Sequence, residues 1–210
     1  GLEALGDHRN ILLGVAVVFL AGTLACQYLL NAVGEQRITE RARRMMRPLS
    51  LLFLAAFLSF LGALLVSTGW SYDASGVVAA EPYKYLHNLL QMPLVSVVML
   101  IGVVLVLASI LLGWRGSRKA IWLGGSGTVL TVLALLLCAG WNNTAYYPSL
   151  VDMQSSLTIA NSSSSEFTLR VMAYVSLLIP FVLAYIWYAW RSLNRRPVTS
   201  EELRDEEHSY

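Results

Sequence analysis

The chain has 210 residues, of which 56% are hydrophobic and only 13% charged, with a formal net charge of +2 at pH 7. Soluble domains carry about 25% charged residues, so an ordinary water-soluble globular protein is excluded. Stretches free of Asp, Glu, Lys and Arg run over 10–34, 48–72, 85–114, 120–151 and 171–190. Each is long enough for the ~20 residues that cross a hydrocarbon core of ~30 Å.

The chain begins at Gly1, with no basic leader and small-residue cleavage site in its opening segment. Its first span opens almost at once, and the expectation is a processed or truncated chain, the C-terminal part of a larger protein. The predicted helices run over 10–34, 49–72, 93–113, 120–141 and 168–190. Helices are preferred to strands because each apolar run is continuous and lacks the period-2 alternation of a membrane barrel. The fold class is therefore all-α: a multi-pass transmembrane bundle of five spans forming one unit over 1–210, with 191–210 as a tail.

The segments between spans differ in charge. Arg37, Arg41, Arg43, Arg44 and Arg47 follow the first span; Arg115, Arg118 and Lys119 follow the third; Arg191, Arg195, Arg196 and Arg204 follow the fifth. The alternate segments hold only Arg9, Lys84 and Arg170, so twelve basic residues fall on one side and three on the other. The positive-inside rule makes the basic side cytoplasmic, which puts the N-terminus outside and the C-terminus and tail inside. Trp70, Trp114, Trp122, Trp141, Trp187 and Trp190 all lie near predicted span ends, where amphipathic rings settle at the headgroups. Pro48 and Pro93 are placed at helix starts, and Pro180 should kink the last span. In the tail, the acidic run of Glu201, Glu202, Asp205, Glu206 and Glu207 is expected to be solvated, with a short helix capped by Thr199 or Ser200.

The span interiors contain no Asp, Glu, Lys, Arg or His. Intramembrane ionisable groups mark proton relays and transport sites, so the chain is a poor pump or coupled transporter. It is also a poor haem carrier. The histidines, His8, His87 and His208, fall outside the apolar interiors and are read as solvated or interfacial. Met99 and Met172 are read as packing residues rather than axial ligands. Cys26 and Cys138 behave as small hydrophobes, with no CxxC motif and no disulfide expected. Gly124-Gly125-Ser126-Gly127 lacks the Lys-Ser or Lys-Thr of a phosphate loop. These small residues, with Gln27, Asn31, Thr128 and Thr131, are expected to receive absent or partner helices. Ser59, Ser96 and Ser109 join the neutral polar groups read as packing contacts. The sequons at Asn142 and Asn161 are weak signals in an Asn- and Ser-rich loop. No catalytic, cofactor-binding or metal-binding residue is nominated.

The run Ser155-Ser-Leu-Thr-Ile-Ala-Asn-Ser-Ser-Ser-Ser-Glu-Phe-Thr-Leu-Arg-Val-Met172 precedes a helix containing Ile179-Pro180-Phe-Val-Leu-Ala-Tyr185 and Trp187-Tyr-Ala-Trp190. It resembles the loop before the final helix of subunit II of cytochrome bd-type ubiquinol oxidases. The opening Gly1-Leu-Glu-Ala-Leu-Gly-Asp-His-Arg-Asn10, the basic Arg41-Ala-Arg-Arg44 and the ending His208-Ser209-Tyr210 are similar too. The resemblance implies eight helices in two four-helix repeats, of which this chain holds the fourth to the eighth.

It further implies a bacterial inner-membrane respiratory complex. A partner subunit I carries b-type and d-type haems, oxidises quinol and reduces dioxygen to water. This chain would ligate no cofactor and perform no catalysis alone. Expected partners are subunit I, membrane lipid, quinol through the complex and a small accessory membrane subunit, with no nucleic acid. The alternatives from other classes are a component of a small multi-pass transporter and a membrane scaffold.

Overall fold

A computed structural model of the chain describes residues 6–149 and 151–193. The acidic tail with its Thr199 or Ser200 cap, His208 and most of the opening segment lie outside the described residues. Among the described residues, five helical stretches are long and apolar enough to cross a membrane.

Helix α1 (His8–Ala32) starts where the Asp7 carboxylate accepts from the backbone N–H of Arg9, an N-cap. It ends at Val33, whose extended backbone turns the chain into α2 (Gln36–Val66). The second helix departs from expectation at both ends. The arginine-rich segment is helical rather than a loop, since its Arg, Ala, Met, Gln and Glu are good helix formers. One buried face runs unbroken through it and into the span: Ala42, Met46, Ser50, Phe53, Phe57 and Phe60. Pro48 consequently sits inside the helix, not at its start, where it removes one backbone donor.

The other end of α2 stops at Val66 because the chain changes to strand. Strand β1 (Gly69–Tyr72) pairs antiparallel with β2 (Val78–Glu81), with Gly69 opposite Glu81 and Tyr72 opposite Val78. The connection is tied by the Asp73 carboxylate, which accepts from the N–H groups of Ser75 and Val77, while Gly76 takes φ +83°. This small hairpin was not anticipated in a chain read as all-α. It is an extramembrane addition to the bundle and leaves the class unchanged.

A short helix, α3 (Lys84–Gln91), leads into α4 (Pro93–Trp114), and a tight basic turn leads into α5 (Ala120–Gly140). Beyond a loop and the single turn α6 (Ile159–Ser162), the last span comes in two pieces, α7 (Glu166–Ser176) and α8 (Ile179–Leu193). The break falls just before Pro180. Proline lacks the N–H that would bond the carbonyl of Ser176, and the chain tightens there, with the N–H of Leu178 donating to the carbonyl of Val175.

Two hairpins, α1–α2 and α4–α5, pack together around Ala16, Phe53, Ala56, Phe57, Phe60, Val106 and Ile110. A second cluster, Cys26, Leu30, Ala42 and Met46, closes one end of the bundle beneath Trp114. Helix contacts depend on missing side chains. A Cβ on Gly127 would stand 2.8 Å from both the carbonyl of Gly102 and the backbone N of Val106. On Gly113 it would collide with Met46 Cε, and on Gly124 with Gln27 Oε1. Gly124, Gly127, Gln27 and Thr131 are therefore spent within this chain and do not await a partner helix. The physical reason is that α5 meets α4 and α1 through its smallest residues, which lets the backbones approach. Helices α7 and α8 are exposed along nearly their whole length and meet the rest where Trp190 stands edge-on to Trp122, centroids 6.2 Å apart.

Candidate functional site

The bundle has two chemically distinct ends. At one, Arg43 Nε donates to the carbonyl of Trp114 at 2.7 Å, clasping α2 to the turn between α4 and α5. Trp114 Nε1 in turn donates to Ser50 Oγ at 3.1 Å. The two basic segments that charge counting assigned to one side thus meet at one end of the bundle. Here too lies a cavity of about 780 Å³ between α1, α5 and α8, walled by Tyr28, Trp122, Trp187 and Trp190. The guanidinium of Arg191 stands 5.3 Å from the ring centre of Trp187.

The opposite end is a cap of loops. The N–H of Ala145 donates to the carbonyl of Trp70, and that of Tyr72 to the carbonyl of Asn143. Gln154 exchanges two hydrogen bonds with the backbone of Val78. The centre of the cap is Asn88, fully buried, whose Nδ2 donates to the carbonyl of Cys138 and to Thr144 Oγ1. Its Oδ1 accepts from Asn142 Nδ2, which also donates to Gln91 Oε1 at 2.7 Å. Asn142 and Asn143 both take the left-handed conformation that asparagine tolerates. The Asn161 side chain caps α6, accepting from the N–H of Thr158 and donating to the carbonyl of Ser156. Both sequon asparagines are thus engaged in holding loops.

Beside this knot lies a charged group that sequence reading used only for sidedness. Lys84, with its side chain 6% exposed, reaches Glu81 Oε2 at 3.0 Å, and His87 Nδ1 lies 2.9 Å from Glu81 Oε1. Burial works to raise the Glu81 pKa, but hydrogen bonds from His87 and Lys84 and the Lys84 charge outweigh it and lower the carboxyl. The three-residue spacing of Glu81, Lys84 and His87 is the available signal in the sequence, hidden because Glu81 ends a strand and Lys84 begins a helix. Gly69 makes room for it: a Cβ there would stand 2.6 Å from Lys84 Cβ.

His8 is mostly exposed beside Asp7, whose carboxyl is held at about 2, chiefly by the side-chain hydrogen bond from Arg9. Met99 is buried and Met172 exposed. Inside the bundle, Gln27 Nε2 donates to Ser109 Oγ at 3.2 Å, while its Oε1 has no hydrogen-bond donor among the described residues. Among the described residues no three His, Cys, Asp or Glu side chains gather as a metal site. The arrangement can hold helices in register, cap one end with polar loops and present long uncovered helix faces. Fold and site together define a multi-pass membrane protein of the all-α class.

The comparisons make the class specific. The family described as Cytochrome bd terminal oxidase subunit II matches residues 2–193, and the chain belongs to it. Among curated relatives, the Cytochrome bd-I ubiquinol oxidase subunit 2 of Escherichia coli K12 is 30% identical over 214 residues, covering 95% of this chain and 55% of the relative. The proteins of the same name from E. coli O6:H1 and O157:H7 match equally. The chain thus spans about half the length of the curated relatives it matches.

Proposed function

We propose that this chain serves as the part of oxidase subunit II that packs against a haem-bearing subunit I. That complex would oxidise quinol and reduce dioxygen to water in the bacterial cytoplasmic membrane. The observation that carries the reading is the family match over residues 2–193. Ubiquinol as the reductant is suggested by the names of the relatives.

In this reading the b-type and d-type haems belong to subunit I. The donor set of this chain does not fit haem ligation. Its described histidines are His8, the first residue of α1, and His87, engaged by Glu81 at the loop cap. The apolar interiors offer no imidazole at all. A subunit that works by packing needs uncovered helix faces, and α7–α8 has one along its length. Lipid supplies no hydrophobic force between helices, so such a face associates by close packing and polar contacts.

Orientation follows from charge: the end holding Arg43 and Arg118 faces the cytoplasm and the Asn88 cap faces outward. The chain by itself carries out no catalysis, and a small accessory membrane subunit is a further partner in the complex. Purification of the tagged chain from its native membrane tests the reading. The expected result is a co-purifying subunit with reduced-minus-oxidised haem bands and quinol oxidase activity, both lost from the chain when the partner is removed. A chain that arrives with neither partner nor haem would overturn the reading and favour a scaffold or transporter. Haem retained after every partner is gone would refute the non-ligating role.

A further inference from the structure

The first twelve residues of α2 carry five arginines, and the helix brings three of them together. Arg37, Arg41 and Arg44 recur at spacings of four and three, so they share one face of the helix. That face lies opposite Ala42, Met46, Ser50 and Phe53, which are buried in the bundle. Continuing along it past Pro48 come Leu51, Leu52 and Leu58, which are 54%, 48% and 60% exposed. Arg43 lies on the flank, turned to the carbonyl of Trp114. One helix face therefore runs from arginines directly into uncovered leucines.

Length sets the level of each arginine. At 1.5 Å per residue the 31 residues of α2 extend about 46 Å, well beyond a ~30 Å hydrocarbon core. With the apolar section beginning near Leu49, Arg44 stands ~7 Å, Arg41 ~12 Å and Arg37 ~18 Å along the helix from that boundary. The headgroup layer is only about 5–8 Å thick on each side, and an arginine on its flexible stem can reach back toward it. Among the described residues, no carboxylate forms an ion pair with any of the three. Glu40, the nearest acid on the helix, accepts instead from Gln36 Nε2 at 2.9 Å. An open surface depression lies among Arg37, Glu40, Arg41, Arg44 and Met45.

We propose that this stripe binds the phosphate of an anionic phospholipid, with Arg44 and Arg41 as the principal ligands and Arg37 at the aqueous edge. The acyl chains lie along the Leu51, Leu52 and Leu58 face below. Three features favour a lipid: cationic groups on one face with no ion pair among the described residues, Arg44 level with the headgroups and Arg41 within a side chain's reach of them, and an apolar surface continuous with them. The proposal does not depend on the oxidase reading.

Phosphatidylglycerol, titrated into micelles of the full chain with whatever subunit co-purifies, provides the test, with bound lipid counted by native mass spectrometry. A basic residue near an anionic surface is worth about a fivefold change in binding. The Arg37→Gln, Arg41→Gln, Arg44→Gln triple variant is therefore expected to bind at least about tenfold more weakly. Arg44→Gln should lose more than Arg37→Gln, and Arg43→Gln should stay near wild type. The matching triple lysine variant, which keeps the charge, should retain most of the binding. Far-ultraviolet circular dichroism confirms that each variant is helical; if the glutamine triple does not fold, the single variants and the lysine triple decide. Binding that is unchanged in the glutamine triple and flat across the single variants overturns the proposal. So does loss of a co-purifying subunit with lipid binding intact, which assigns the stripe to protein contact.

Discussion

Replacing Gly127 by alanine probes the point where α4 and α5 meet backbone to backbone. The added Cβ would stand 2.8 Å from the carbonyl of Gly102, 2.8 Å from the backbone N of Val106 and 2.9 Å from Leu105 Cβ. Ordinary contact begins near 3.4 Å, and the two closest neighbours are main chain, unable to swing aside like a side-chain tip. The helices must separate by about 0.6 Å along a tightly packed seam. Overpacking of this kind costs about 1–3 kcal/mol, against which alanine recovers nearly 1 kcal/mol of helix propensity. The expected net loss is about 0–2 kcal/mol relative to wild type, and about 1–3 kcal/mol relative to an alanine that meets no neighbour. Gly125→Ala is the matched control, because a Cβ there meets nothing within 4 Å. It should be neutral or slightly stabilising. Reversible unfolding in mixed micelles, titrated with a denaturing detergent and followed by circular dichroism, measures both. If Gly127→Ala is as stable as Gly125→Ala, the close α4–α5 approach is refuted. Gly127→Leu adds four carbons at the same point and should separate the hairpin, disturbing the chain's own fold before any partner contact.

Other expectations follow from named contacts. Ser109→Ala leaves the buried Nε2 of Gln27 without its acceptor and should cost about 1 kcal/mol in the same assay; an unchanged midpoint would mean that the amide finds another partner. Asn88→Ala removes the hub that joins Cys138, Thr144 and Asn142, so limited proteolysis should speed up severalfold in the 142–149 loop while the spans stay intact. Asp7 has its pKa lowered from 3.8 to about 2, so its contribution is full above pH 4 and is lost as pH falls toward 2. Asp7→Asn keeps a cap and removes the charge. Wild type should therefore lose more stability than the variant between pH 5 and pH 2, by no more than about 1 kcal/mol because the pair is partly solvated, and parallel curves would disprove the linkage. Cysteines at Ser75 and Ser163 should react with an impermeant thiol reagent added outside the cell and one at Arg43 should not; the reverse pattern would invert the proposed topology.

Much of the architecture can be read from residue order alone. Five uncharged stretches define five apolar helices, because a backbone in lipid must satisfy its own hydrogen bonds and the helix does so locally. Pro180 marks the break in the last span, since a missing N–H acts on its own turn wherever the helix sits. The basic segments were grouped by counting, and Arg43 on the carbonyl of Trp114 shows two of them meeting. The candidate site was less legible. Glu81, Lys84 and His87 are near in sequence, yet their pairing depends on a β-hairpin delivering Glu81 to the start of α3.

What the sequence determined by itself was everything set by solvent preference and local backbone chemistry: the membrane class, the number of spans, the proline break and the resemblance to oxidase subunit II. Local propensity permits the early start of α2, but the tertiary structure decided it, because Ala42 and Met46 continue a buried face that only the neighbouring helices define. It also decided which glycines are consumed within the bundle and which face open space. Gly124 and Gly127 are filled by Gln27 and α4, while Gly125, one residue away, faces nothing within 4 Å. A glycine in an apolar run carries no signal of direction. Its role is fixed by what lies within a few ångströms of its missing side chain, and that is a property of helix packing.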